Sequence, residues 1–177
     1  MTAVFRNSED VIVVDDAWTA RVKDNACSEP MRRARLNLHH SEGDHVQEML
    51  IAFCRDSLNP PHRHRGKSES IHVIEGRLAI VFFDDSGRVT ERLYLGPAGG
   101  RWPSLYRLAA PRWHTVIPLD EMVVIHETAS GPFSPENEPL PAWVPRDESS
   151  LRQFIGQLQT DCEASDREFG VSGSGVV

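Results

Sequence analysis

The chain lacks any stretch approaching the roughly 18 uninterrupted apolar residues of a membrane-spanning helix, so no membrane association is expected. Its first ten residues, Met1 to Asp10, do not follow the basic-then-apolar pattern of a secretory signal, and a cytoplasmic location is the expectation. Cysteine is scarce. Cys27, Cys54 and Cys162 are odd in number, far apart, and without the Cys-x-x-Cys spacing of a zinc or redox motif, so reduced thiols are expected. Cys54 ends the apolar run Met49 to Cys54 and reads as a small buried hydrophobe rather than a nucleophile. Positive charge is also short: 19 Lys and Arg against 26 Asp and Glu leave a net charge of -7, which excludes the clustered basic surface that nucleic-acid binding requires. No internal repeat is present.

What remains is an ordinary globular composition, 40% apolar and 25% charged, in a chain of 177 residues. That length suits one core with extensions. The expected division is an N-terminal extension with a short helix over 1–29, a β core over 30–134, and a Pro-rich wrap, helix and disordered tail over 135–177.

Local patterns supply the elements. Val11 to Val14 reads as a short strand, and Asp15-Asp16 as the N-cap of a helix near Ala17 to Ala26. From Arg33 the period becomes two: Arg35, Asn37 and His39 alternate with Ala34, Leu36 and Leu38, which sets polar side chains along one face of a strand and suggests a pocket wall. Further strands are expected over 47–55, 70–74, 78–83, 89–95, 105–108, 114–117 and 122–127, with Asp84-Asp85-Ser86-Gly87 as a hairpin turn. Prolines 132, 135, 139, 141 and 145 mark the wrap. Glu148 to Gln159 is a helix with Leu151, Phe154, Ile155 and Leu158 on its apolar face, and 172–175 is disordered. Many short strands with Gly and Pro between them favour a barrel or sandwich over a parallel sheet.

The chemistry concentrates in Pro61-His62-Arg63-His64-Arg65-Gly66-Lys67-Ser68-Glu69. In extended chain His62 and His64 project to one side, the loop through Lys67 turns, and Glu69 opens the next strand. Together with His114 these residues can close around one metal ion. With 8 histidines in 177 residues, composition alone gives a His-x-His pair roughly 0.36 times; requiring the acid and then Gly76 lowers this to under about 0.01. Imidazole and carboxylate suit Fe, Mn, Co, Ni, Cu or Zn alike. Three neutral His and one Glu around a six-coordinate ion leave two positions for water, dioxygen or substrate. Other histidines carry less: His72 has the opposite parity to Glu69 and is expected to face outward. Trp113 reads as core, and Glu127 as either a surface carboxylate or a group orienting the site.

The order His62-x-His64-(x)4-Glu69-(x)6-Gly76, then a strand pair, then Pro111-Arg112-Trp113-His114, resembles the two signature motifs of the cupin superfamily. More narrowly, Arg33 to His39, Pro60 to His64, Glu75 to Leu78, Phe82 to Val89, Leu95-Gly96-Pro97, Trp113-His114-Thr115 and Gly131-Pro132-Phe133 look like the WbuC-type cupin fold metalloproteins, over about residues 10 to 145. The resemblance implies an all-β fold, a single cupin (double-stranded β-helix or jelly-roll) barrel with a short N-terminal helix and a C-terminal helical extension. It implies one bound metal on His62, His64, Glu69 and His114; a divalent transition metal is expected there, with iron most favoured by the open nitrogen and oxygen shell and Mn, Ni, Co, Cu or Zn as alternatives. It also puts the Arg35, Asn37 and His39 face near the cavity as substrate contacts. One departure stands out: Ala109-Ala110-Pro111-Arg112 lacks the glycine that usually precedes the last histidine.

The expected function is a mononuclear-metal enzyme acting on a small polar or anionic metabolite, of oxygenase (dioxygenase) type and, by the resemblance, in polysaccharide or natural-product metabolism. A metal-dependent isomerase or lyase, and a non-catalytic binding or sensor module, are the alternatives. A small-molecule substrate and a homodimer are the expected partners.

Overall fold

The computed structural model describes residues 3–134 and 140–171. Pro135 and Pro139 of the expected wrap, and the expected disorder of 172–175, lie outside the described residues.

Two sheets and two helices make up the described chain. Strands β1 (Ala3–Arg6), β2 (Arg33–Asn37), β3 (Val46–Cys54), β4 (Glu69–Glu75), β7 (Leu105–Leu108) and β9 (Met122–Ser130) form a six-stranded sheet in the order β1-β2-β3-β9-β4-β7. The second sheet has β5 (Leu78–Phe83) at its centre, flanked by β6 (Val89–Leu95) and β8 (Trp113–Pro118). Helix α1 (Asp16–Ser28) lies beside the large sheet and α2 (Glu148–Val171) beside the small one.

The layering follows from which faces are apolar. Along β3, Met49, Ile51 and Phe53 point between the sheets, whereas Leu50, Ala52 and Cys54 point outward to Val22 and Ala26 of α1. Along β5, Leu78, Ile80 and Phe82 face inward, and Ala79, Val81 and Phe83 meet Leu151, Ile155 and Leu158 of α2. A strand covered on both faces needs an unbroken apolar run rather than an alternating one. Such runs are Met49 to Cys54 and Leu78 to Phe83. Burial of each large aliphatic side chain contributes about 1.5–3 kcal/mol, so the two helices are covering layers of the sandwich and not appendages.

Several expectations require correction. The sheets do not close into a barrel; they remain two separate layers, and the chain is mostly β with two helices. Val11 to Val14 forms no strand: Val11 is 79% and Val13 71% exposed. The N-terminal strand is instead β1, parallel to β2 from Ala3 opposite Ala34 to Arg6 opposite Asn37. Helix α1 does start at the expected cap, with the Asp15 carboxylate accepting from the Trp18 amide at 3.0 Å. Helix α2 runs twelve residues beyond the expected Gln159, its later turns held by the Tyr94 hydroxyl donating to the Cys162 carbonyl at 2.9 Å and by the Arg77–Asp166 ion pair at 3.0 Å.

Gly76 joins β4 to β5 with φ +73°, and a Cβ there would stand 2.3 Å from the Met122 carbonyl oxygen. Gly76→Ala is therefore expected to lower stability by about 2–4 kcal/mol, combining left-handed strain with a backbone clash. Urea denaturation checks this, and a loss below about 0.5 kcal/mol contradicts it.

Candidate metal centre

The segment ahead of β4 is pinned before its histidines are reached. The Asn59 side chain donates to the Val116 carbonyl at 3.2 Å and accepts from Arg33 Nη1 at 2.7 Å, and the Asn59 carbonyl accepts from Thr115 Oγ1 at 2.5 Å. Pro60 and Pro61 then keep the chain extended. His62 and His114 pair as an antiparallel bridge, their amides donating to each other's carbonyls at 3.0 and 2.9 Å. The alternation expected of extended chain holds: His64 is buried, and Arg63 lies outward over the Trp113 ring at 4.1 Å. Gly66, at φ +68°, makes the reversal that returns the chain to Glu69 at the start of β4.

The outcome is a tight cluster. Donor atoms of His62, His64 and His114 all lie within 4.8 Å of one another, so the three histidines can hold a metal ion. Glu69 reaches two of them: its Oε2 is 2.8 Å from His64 Nε2 and its Oε1 is 3.0 Å from His114 Nε2. The Tyr106 hydroxyl donates to the same Oε1. His114 takes this place without the usual preceding glycine, because its own backbone pairing with His62 sets its direction.

The donor chemistry fits a cation. His62 Nδ1 is 3.1 Å from the Pro60 carbonyl and His114 Nδ1 is 2.9 Å from the Arg112 carbonyl. A carbonyl can only accept, so both Nδ1 atoms carry a proton and each ring turns its Nε2 toward the cluster. His114 Nε2 faces a carboxylate oxygen that also accepts from Tyr106, so nitrogen and oxygen donors converge where a cation can sit. Two donors each about 2.1 Å from one ion, at right angles, stand about 3.0 Å apart, close to the spacing of Glu69 from His64 and His114.

Ionisation agrees with that picture. Burial opposes charge on Glu69, but hydrogen bonds to His114 and His64 outweigh it and hold the carboxyl well below its ordinary range. Burial, reinforced by His114 and His64, pushes His62 down from 6.5 to about 4, so its ring is neutral at pH 7. Burial and the facing Glu69 raise the Tyr106 phenol, which stays protonated and remains a donor.

His62 and His64 open onto a cavity of about 340 Å³ between the sheets. Arg35, Asn37 and His39 line it, as does Arg33, whose shared parity with them is the sequence signal for its place there. Burial and the adjacent Arg35 lower the Arg33 guanidinium to about 10, still protonated at neutral pH. Glu127 also lines the cavity, in a cross-strand row that runs Asn37, Met49, Glu127, Ile71, Tyr106. His39 Nδ1 lies 2.9 Å from the Glu48 carbonyl and 3.1 Å from the Glu48 amide, which fixes its ring against β3. His72 faces outward and Trp113 packs in the layer against α2. Tyr106 carried no sequence signal; only the register of β7 on β4 brings it to Glu69.

Residues 14–95 match a family model described as a domain of unknown function, DUF6016. No curated protein matches the chain. Among solved structures, a protein from Shewanella oneidensis aligns with TM-score 0.51 at 11% identity, covering 71% of this chain and 81% of that one. KdgF from a Halomonas species aligns with TM-score 0.46 at 17% identity, over 61% and 86%. A cupin superfamily protein from Desulfitobacterium hafniense aligns with TM-score 0.42 at 15% identity, over 55% and 76%. At these identities the likeness concerns the fold.

The depressed His62 value has a consequence for pH. In the metal-free protein its ring is expected to stay neutral, with the proton on Nδ1, from pH 7 through 5, and to titrate near about 4. Because the unfolded chain takes up this proton first, the stability contributed by His62 is present above about 6.5 and is lost as pH falls toward 4. Long-range ¹⁵N–¹H spectra of the imidazoles check this; a midpoint near 6.5 contradicts it.

Proposed function

We propose that this chain is a mononuclear-metal protein of cupin type, a jelly-roll in which His62, His64, Glu69 and His114 hold one divalent ion and the cavity beside them receives a small anionic metabolite. The observation that carries the reading is the arrangement of the cavity: two buried-side guanidinium groups, Arg33 and Arg35, line the same cavity as His62 and His64. Three neutral imidazoles and one carboxylate leave a divalent ion about +1 overall, and the arginines add positive charge near it. A carboxylate or similarly anionic small molecule satisfies both. Asn37, which is 3% exposed, and His39 contribute short polar groups that orient it.

Bound at this centre, a divalent transition ion supplies Lewis-acid polarisation or, in the case of iron, activation of dioxygen. The protein's own residues do the rest. Tyr106 holds Glu69 in its charged form by donating to Oε1, and Pro60 and Arg112 fix the histidine tautomers. Arg33 and Arg35 bind and orient the anionic end of the substrate, while Met49, Ile51, Phe53 and Val116 exclude water from the remaining wall. An oxygenase-type reaction with iron is the favoured chemistry, because the donor set is all nitrogen and oxygen and leaves adjacent positions open. One observation favours a second reading: Glu127 presents a carboxylate to the same cavity, where it can take a proton from a substrate carbon in isomerase or lyase chemistry with a redox-inert ion.

Protein purified without chelator or affinity nickel is expected to carry about one transition ion per chain by elemental analysis. The iron-loaded form is expected to consume dioxygen with a small acid drawn from a panel of hydroxy- and keto-carboxylates, and His64→Ala not to do so. Arg35→Ala is expected to keep its metal while raising KM by about 10- to 100-fold, the loss of one charge-assisted hydrogen bond. Equal oxygen uptake by wild type and His64→Ala removes the oxygenase reading, and full turnover with zinc assigns isomerase or lyase chemistry.

A further inference from the structure

Two of the three cysteines, 27 residues apart in sequence, meet in the fold. Cys27 lies in the last turn of α1 and Cys54 is the final residue of β3, and their sulfur atoms are 3.0 Å apart. Each has a different exposure: Cys27 is open to solvent, whereas Cys54 is buried in the layer between α1 and the large sheet. The surroundings hold the pair in place. The Cys54 amide donates to the Arg32 carbonyl at 3.0 Å, the Ser57 amide donates to the Cys54 carbonyl at 2.9 Å, and Arg32 Nη1 donates to the Cys27 carbonyl. Arg32 itself is anchored to Asp56 by an ion pair at 2.9 Å. Cys162 belongs to the opposite layer, against α2, and cannot compete for either partner.

We propose that Cys27 and Cys54 form a reversible disulfide site, with Cys27 the thiol that peroxide oxidises and Cys54 the thiol that resolves it. A disulfide bond is about 2.05 Å long, so closure asks for about 1 Å of approach, within reach of side-chain rotation. The division of labour follows from exposure and basicity. Cys27 is the sulfur that an oxidant in solution can reach, and burial together with the Cys27 contact pushes the Cys54 thiol up to about 12.

The chemistry balances with hydrogen peroxide as the oxidant. The Cys27 thiolate attacks one peroxide oxygen, the O–O bond breaks, and the products are a sulfenic acid on Cys27 and hydroxide, which takes up the thiol proton to become water. The Cys54 sulfur then attacks the Cys27 sulfur; the S–O bond breaks, and the departing hydroxide leaves as a second water with the Cys54 proton. Both sulfurs are oxidised by one electron each and the peroxide is reduced by two. Thiol exchange reverses the bond.

The bond would tie the end of α1 to the end of β3. Phe53, the neighbour of Cys54, lines the cavity and lies opposite Arg33 in the β2–β3 register, so the lock fixes the strand ends that carry one cavity wall. The site does not depend on the metal reading, since no residue of the metal cluster takes part.

The test uses the full chain with its metal in place, treated with a slight excess of hydrogen peroxide, alkylated in denaturant, and mapped by peptide mass spectrometry. Alkylatable thiols are expected to fall from three to one, with a Cys27–Cys54 cross-linked peptide that dithiothreitol removes. The oxidised protein is expected to melt about 5 °C or more above the reduced one. Cys27→Ser, an exposed change that leaves the core intact, is expected to keep two alkylatable thiols and to show no rise in melting temperature. Three thiols surviving in the wild type, a bond to Cys162, or oxidation of Cys27 no further than sulfinic acid with Cys54 untouched would each overturn the proposal.

Discussion

Keeping a charged carboxylate at Glu69 inside the sandwich is the constraint to which the rest of the structure answers. An uncompensated buried charge costs several kcal/mol, and here it is met from three separate parts of the chain: His64 from the loop before β4, His114 from β8, and Tyr106 from β7. The two sheets must therefore face each other in one register for the charge to be tolerated. Gly66 and Gly76 make the reversals on either side of the Glu69 strand, and the His62–His114 bridge closes the gap between loop and small sheet.

Covering layers make this possible. Because α1 and α2 bury the outer faces of β3 and β5, the inner faces need not supply all of the apolar burial, and part of the interior can be given over to polar groups. Arg33, Arg35 and Asn37 stand on the inner face of β2, while Ala34 and Leu36 on its outer face pack under α1. One strand thus serves the core with one set of residues and the cavity with the other. The guanidinium groups and the histidine cluster share the space between the sheets.

Much of this was written in local pattern. Alternation from Arg33 to His39, the apolar runs of β3 and β5, and the spacing of His62, His64 and Glu69 each depend on short-range geometry, so they could be read without knowing the fold. What could not be read depends on register or on what covers a face. Tyr106 finds Glu69 only through the pairing of β7 with β4. Val11 to Val14 has strand-forming residues yet forms no strand, whereas the less conspicuous Ala3 to Arg6 pairs with β2. Many short strands left barrel and sandwich both open and the resemblance implied a barrel, yet strand number does not decide whether edges meet, and here they do not. The meeting of Cys27 with Cys54 is of the same kind, invisible until α1 is laid on β3.

X-ray absorption spectroscopy on the metal-bearing protein addresses the central claim most directly. A shell of nitrogen and oxygen donors alone, at about 2.0–2.2 Å and with the multiple-scattering signature of three imidazoles, is the expected result, and the imidazole signal should diminish in His62→Ala. A sulfur donor in the shell, or a spectrum without imidazole scattering, would contradict the assignment of His62, His64 and His114 to a common ion.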